Sequence, residues 1–341
     1  MKQIKEDLAT LCQTAGVAGQ TAIAELAKEL LVPLVDYVEQ DAMGNILGVR
    51  RCSDPDAPTV LLEAHMDEIG FLVTHIDSAG FVYTSPAGGI DGRVLTAQEV
   101  QVHAPNATYR GVFCSTPPHL SGKDGEAPDV AKRGIDLGMT AEEAKSAIPL
   151  GTRVSFASGF TELNEHVVSS KALDDRAGMA AILHCLRSLN HPVSVHIAVA
   201  FCVQEELGCR GAAPAVRRLQ PTEALITDVS FALTPDADAH SCGLLSKGVM
   251  IGISPILDSR MTDRLFTLAE TNEIPFQTEV MGGRTGTDAD HITNALFGVP
   301  SALLSIPQKY MHTPIETVDV RDVAAVGDLM AAYIRERGVC A

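Results

Sequence analysis

Hydrophobic and polar positions change their rhythm three times along the chain. From Lys2 to Leu31, apolar residues at Ile4, Leu8 and Leu11 and then Ile23, Leu26 and Leu30 recur at helical spacing. Gly16 and Gly19 separate the two sets, so two helices are expected. The next stretch, VDYVEQDAMGNILGVRR, alternates, turns at Met43-Gly44-Asn45 and alternates again, which predicts a hairpin. Residues 59–64 form a short apolar run read as a strand, ending against His65.

From Phe71 to about Gly159 the texture is different. FLVTHID, FVYTSPAGG, EVQVHA, YRGVFCS and TRVSFAS are short β-type runs broken by Gly, Pro, Asp and Ser, the spacing of a small all-β unit. Within it, Thr140 and Glu143 make a capping-box pattern for a short helix. SGKDGEAPDVAKRG is polar and Gly/Pro-rich and reads as a loop or flap.

Helix and strand patterns resume after Ser169. A helix follows Asp175, with Met179, Ile182, Leu183 and Leu186 on one side. VHIAVAFC, at 195–202, is β-branched and long enough for one buried strand. Then come a short helix at 210–219, a strand at 223–227 ending on Asp228, a strand around GVMIGI and a helix at 258–272. The turn MGGRTGTDAD leads to a helix carrying Ile292 and Leu296; it lacks both phosphate-loop patterns, and its glycines suit close backbone approach. A strand at 301–306 and a helix at 321–337 close the chain. Residues 1–69 and 161–341 are therefore expected to form one α/β catalytic domain, and 70–160 an inserted β unit.

Composition narrows the function classes. In 341 residues, 46% are hydrophobic and 20% charged, which fits a soluble globular chain. The formal net charge of -17 argues against nucleic acid and anionic membrane surfaces as partners, and suits a site that attracts cations. Eight cysteines without CxxC spacing read as free thiols in a reducing compartment. No signal-peptide pattern opens the chain and no apolar run approaches membrane-spanning length, so a cytoplasmic enzyme is expected.

Candidate chemistry collects at strand ends. Taken singly, each residue has an ordinary explanation: a strand-end His is usually structural, a helix-leading Asp is an N-cap, and Glu205-Glu206 opens a solvated loop. Together, His65, Glu205, Glu206, Asp228 and His312 fall at or beyond strand carboxyl ends, where α/β sheets bind ligands. Of the pair Asp174-Asp175, one is expected to cap its helix and the other to enter the site. Asp67 lies two residues beyond His65, placed to accept from its second ring nitrogen. Imidazoles with carboxylates and no thiolate suit zinc, cobalt or manganese in a catalytic site. Five ligands exceed what one catalytic zinc needs and suit two metals about 3.5–4 Å apart sharing a carboxylate.

AHMDEIG, KALDDRAG, QEELGCRGA, ITDVS and YMHTPIE, in that order, resemble the dinuclear metallo-aminopeptidases of the glutamyl, deblocking and tetrahedral (TET) type. GGIDGRVLTAQEV, GVFCSTPPHL and IDLGMTAEEA in the insert carry the resemblance too, so it spans nearly the whole chain. The resemblance implies a mixed-sheet α/β/α metallopeptidase domain interrupted by a small PDZ-like or barrel-like dimerisation domain, in homodimers and often dodecameric shells. It implies that Asp174 bridges two divalent ions, zinc first with cobalt or manganese as substitutes. His65 and Asp228 then complete one site, and Glu206 and His312 the other. Glu205 is the implied general base toward a metal-bridging water, Asp67 orients His65, and the Asp174-Asp175 peptide is cis. Short peptides losing their N-terminal residue are the implied substrates. Gln308-Lys309 and the GRTGTDA run depart from the pattern and leave substrate contacts open.

Three other readings compete. A glycosidase would need carboxylates flanking a sugar bond, which adjacent Glu205 and Glu206 cannot do, and leaves the histidines unexplained. A non-enzymatic shell protein predicts lost ligands, yet every position is filled. A related dinuclear amidohydrolase or carboxypeptidase acting on N-acyl or C-terminal substrates uses the same metals and is the main alternative.

Overall fold

The computed structural model describes residues 1–117, 119 and 129–337. Among them, eleven strands form one mixed sheet. Its centre is four parallel strands, in the order His196–Cys202, Thr59–His65, Glu223–Phe231 and Ser301–Lys309. Their near-continuous apolar runs are buried on both faces, as a parallel sheet requires. The expected hairpin, Tyr37–Gln40 with Ile46–Arg50, adds antiparallel beside His196–Cys202. Asp41 shapes its turn, accepting from the backbone of Met43, Gly44 and Asn45 at 2.8–3.0 Å. Glu316–Asp319, Val167–Ser170 and Thr161–Glu162 extend the other side.

Helices cover both faces. Lys2–Gln13, Ala22–Leu31, Leu173–Ser188 and Val320–Arg337 pack on one face, over the largest apolar core. Ala212–Leu219 and Ala289–Ile292 cover part of the other. Three elements differ from expectation in extent. Glu223–Phe231 and Ser301–Lys309 run beyond 227 and 306, because they go on pairing through Ser230 with Pro307 and Phe231 with Gln308. The helix after the glycine-rich turn is a single turn, and Leu296 lies beyond it at φ 54°, where a helix cannot continue.

The inserted strands close a six-stranded antiparallel barrel, in the order Gly70–Ile76, Val82–Ala87, Ile135–Asp136, Ala107–Phe113, Glu99–Ala104 and Arg153–Phe156. Alternate residues point inward, and Phe71 packs edge-on against Phe113 and Phe156 with ring centres 5.1 and 5.5 Å away. Of the two insert architectures named above, the barrel is the one found. The capping box at Thr140 and Glu143 starts Ala141–Ala147 as expected. The predicted flap at 121–134 lies outside the described residues up to 128; its remainder holds the 3-10 turn Val130–Lys132.

A buried ion cluster ties the N-terminal helix to the site. Lys171 donates to both oxygens of Glu68 at 2.9 and 2.7 Å, and Glu68 also accepts from the Gly16 backbone at 2.8 Å. Arg176, fully buried, donates to the Leu11 carbonyl at 2.7 Å. Lys171→Met leaves Glu68 a buried carboxylate without its ammonium, so a loss of about 3–5 kcal/mol is expected. A lower urea midpoint checks this; an unchanged midpoint contradicts the role assigned to the pair.

Candidate active site

Sheet register sets a row of side chains at the carboxyl edge. Cys202 is paired with His65, and Asp228 with Ser305. His65 is the last residue of its strand, and its Nε2 lies 3.0 Å from Asp174 Oδ1 and 3.8 Å from Asp228 Oδ1. Asp174 arrives from the helix above. Its φ/ψ of -79°/108° is not helical, and the Asp174-Asp175 peptide is cis. Asp175 does the capping, accepting from Gly178 N at 2.9 Å, while Asp174 faces the site. One Asp of the pair caps and the other is presented.

His312 stands on the opposite side of Asp174. Its Nε2 is 3.3 Å from Asp174 Oδ2 and 3.3 Å from Glu206 Oε1. Asp174 therefore offers one oxygen to each imidazole. Both rings are fixed through Nδ1: His312 against the Gly89 carbonyl at 2.8 Å, His65 against the Asp67 carbonyl at 3.2 Å. Nδ1–H donation to a carbonyl leaves Nε2 as the binding nitrogen on both rings. A Cβ at Gly89 would meet His312 Nδ1 at 3.1 Å, so the insert approaches the site through bare backbone.

The Asp67 carboxylate lies 3.7 Å from His65 Nδ1, farther than its own carbonyl. Its Oδ1 instead accepts from Glu205 N at 3.1 Å, so Asp67 spans His65 and the Glu205 backbone. Glu205 is half-buried, and its Oε1 accepts from Cys209 Sγ at 3.2 Å. Glu316 was assigned no role from sequence. Its two oxygens accept from the backbones of Asp174, at 3.1 Å, and His312, at 3.0 Å. It fixes both halves of the bridge, and its only sequence signal is its place in YMHTPIE. Glu68 and Lys171, in AHMDEIG and KALDDRAG, likewise hold the frame.

Carboxylates outnumber cations here. Among the described residues, the ion-pair partners of Asp174, Asp228 and Glu206 are the two histidines. Burial and the Asp175 charge push the Asp228 carboxyl well up. Burial lifts Glu206 to about 7, although the His312 hydrogen bond opposes it. Burial alone would raise Asp174, but hydrogen bonds from His312 and His65 outweigh it and hold its carboxyl below the usual range. Burial disfavours charge on His312, yet Asp174 and Glu206 bring it up to about 11. Without other cations the cluster retains protons on its imidazoles, where a divalent ion could replace them. Ligand atoms of His65, Asp174 and Glu206 all lie within 4.8 Å of one another. Two aimed imidazole nitrogens and a shared carboxylate fit zinc-class ions.

The chain has relatives among aminopeptidases. Residues 44–329 match the family model described as M42 glutamyl aminopeptidase. Lysyl aminopeptidase of Pyrococcus furiosus is 34% identical over 334 residues, covering 96% of this chain and 95% of that protein. The solved aminopeptidase APDkam598 from the archaeon Desulfurococcus kamchatkensis superposes with a TM-score of 0.92 at 32% identity, over 98% of this chain and 95% of that one. The Pyrococcus horikoshii TET1 peptidase, which can assemble into a tetrahedron or a large octahedral shell, gives a TM-score of 0.85 at 30% identity, over 98% and 99%. No helix among the described residues is long and apolar enough to cross a membrane.

Proposed function

The chain belongs to the M42 glutamyl aminopeptidase family, and on that premise we propose a metal-dependent aminopeptidase that releases N-terminal residues from short peptides. The observation that carries the reading is Asp174, one oxygen toward each imidazole. In this reading Asp174 would be shared between two divalent ions, with His65 and Asp228 the further residues that would hold one and Glu206 and His312 the other. Zinc, or cobalt or manganese in its place, would supply Lewis acidity for the scissile carbonyl and for water.

The chain's own groups do the rest. Glu205 takes the proton from the attacking water and returns it to the leaving amine. Asp67 fixes the Glu205 backbone, and the Asp67 and Gly89 carbonyls keep both Nε2 atoms aimed. The excess of carboxylates suits a substrate that brings a free ammonium group.

Chromogenic and peptide substrates separate this from the amidohydrolase or carboxypeptidase alternative. Peptides with a free amino terminus are expected to be cut from that end, and their N-acetyl forms to survive. Preferential cleavage of N-acyl substrates, or release from the carboxyl end, would overturn the assignment.

We take 1–69 and 161–341 as the catalytic domain and 70–160 as the dimerisation domain. A barrel this small buries little by itself and carries exposed Val112 and Leu150. Assembly is supported by the TET1 neighbour's shells. Light scattering is expected to give at least a homodimer, with a dodecamer as the larger candidate. A stable, fully active monomer at micromolar concentration would contradict it.

A further inference from the structure

Beneath the row that carries His65 lies a second cluster that the reaction does not use. Glu63 precedes His65 by two residues and so points to the same face of the sheet. Cys202 ends the neighbouring strand, paired with His65. Asp288 comes down from the glycine-rich turn before Ala289–Ile292, a motif left without chemistry above. Glu63 is 1% exposed, Asp288 2% and Cys202 0%. One ligand atom from each lies within 4.8 Å of the other two.

Both oxygens of Glu63 and both of Asp288 are buried without a hydrogen-bond partner among the described residues. Four orphaned carboxylate oxygens in one place demand a compensating group, because buried polar atoms in native proteins are almost always satisfied. A single shared proton would join one oxygen of each carboxylate and leave the other two to the weak thiol donors of Cys202 and Cys209. A cation answers all of them. The thiol beside the carboxylates selects for a thiophilic ion, and three protein ligands from Cys and carboxylate are a zinc-type set.

We propose that Glu63, Cys202 and Asp288 form a third divalent-cation site, for an ion of the zinc class, separate from the pair held around Asp174. Binding replaces the Cys202 proton, which leaves to solvent, with the metal–sulfur bond. Asp288 belongs also to a second trio with Glu205 and Cys209, whose ligand atoms lie within 4.8 Å of one another. Cys209 and Glu205 are only half-buried, so the side that carries them is the route by which an ion reaches the site.

The test uses the enzyme already loaded with two zinc equivalents and then exposed to excess cadmium, a spectroscopic stand-in for zinc. One further equivalent per subunit is expected after gel filtration, with an ultraviolet thiolate-to-metal charge-transfer band. Cys202→Ala and Glu63→Gln are each expected to lose that equivalent and keep the aminopeptidase activity of the two-zinc enzyme. Absence of a further equivalent in the wild-type protein overturns the proposal without touching the catalytic reading. So does a band that survives Cys202→Ala, which would place the ion on another thiol such as Cys52 or Cys242, both partly exposed.

Discussion

Glu205→Gln is expected to lower kcat by about 10²- to 10⁴-fold, the range associated with a positioned proton carrier, while two metal equivalents stay bound. The amide keeps the shape of the carboxylate and can still accept from Cys209 Sγ, so the Asp67 contact to the Glu205 backbone persists. What goes is the capacity to take a proton. Glu206 sits next in sequence but reaches a different partner, His312 Nε2. Paired kinetics and elemental analysis of Glu205→Gln and Glu206→Gln separate the two roles. If Glu205→Gln strips metal and Glu206→Gln does not, the assignment within the pair is reversed.

Asp174→Asn has the other large effect. A single side chain faces both imidazoles, one oxygen to each, so the substitution is expected to weaken both ions together. An amide has one acceptor oxygen in place of two and no charge to offset the cations. Loss of a supporting partner alone costs about 10- to 100-fold in metal affinity, and loss of the shared ligand is expected to exceed that at each position. Activity at ordinary metal concentration then falls to background. His312→Ala is the control, since it is expected to release one ion and leave the His65 side loaded. Independent loss of a single ion from Asp174→Asn would break the bridge.

Much of this site could be read from residue order because His65, Glu205 and Glu206 sit at or just beyond strand ends, although Asp228 lies inside its strand, three residues before Phe231. The runs before His65, Glu205 and Asp228 are apolar enough to be read as strands, and His65 does end its strand. Strand ends converge in a parallel sheet whatever the detailed packing. The Asp174-Asp175 pair divided its work as expected because the helix needs only one cap. Residues that act through backbone groups gave no such signal. Glu316 takes its importance from two N–H groups, one four residues back on His312 and one 142 residues back on Asp174, and nothing about a Glu after Pro-Ile announces that. The Gly89 carbonyl on His312 is a contact between the insert and the catalytic sheet, which no periodicity encodes. Asp67 was expected to lean on His65 through its carboxylate, but the strand stops at His65 and the backbone turns. The carbonyl takes the near position there, and the carboxylate is free for Glu205 N. The Glu63–Asp288 contact was also hidden, because 224 intervening residues separate an apolar strand from a glycine-rich turn that looked purely structural.

Metal titration of the stripped enzyme distinguishes a two-metal aminopeptidase from every other reading of this site. Zinc or cobalt is added stepwise to metal-free protein while release of N-terminal amino acid is followed on one free-amine peptide. No turnover is expected without metal, and activity is expected to be complete when two equivalents per subunit are bound. Full turnover in the stripped protein, or a plateau at one equivalent, would contradict it.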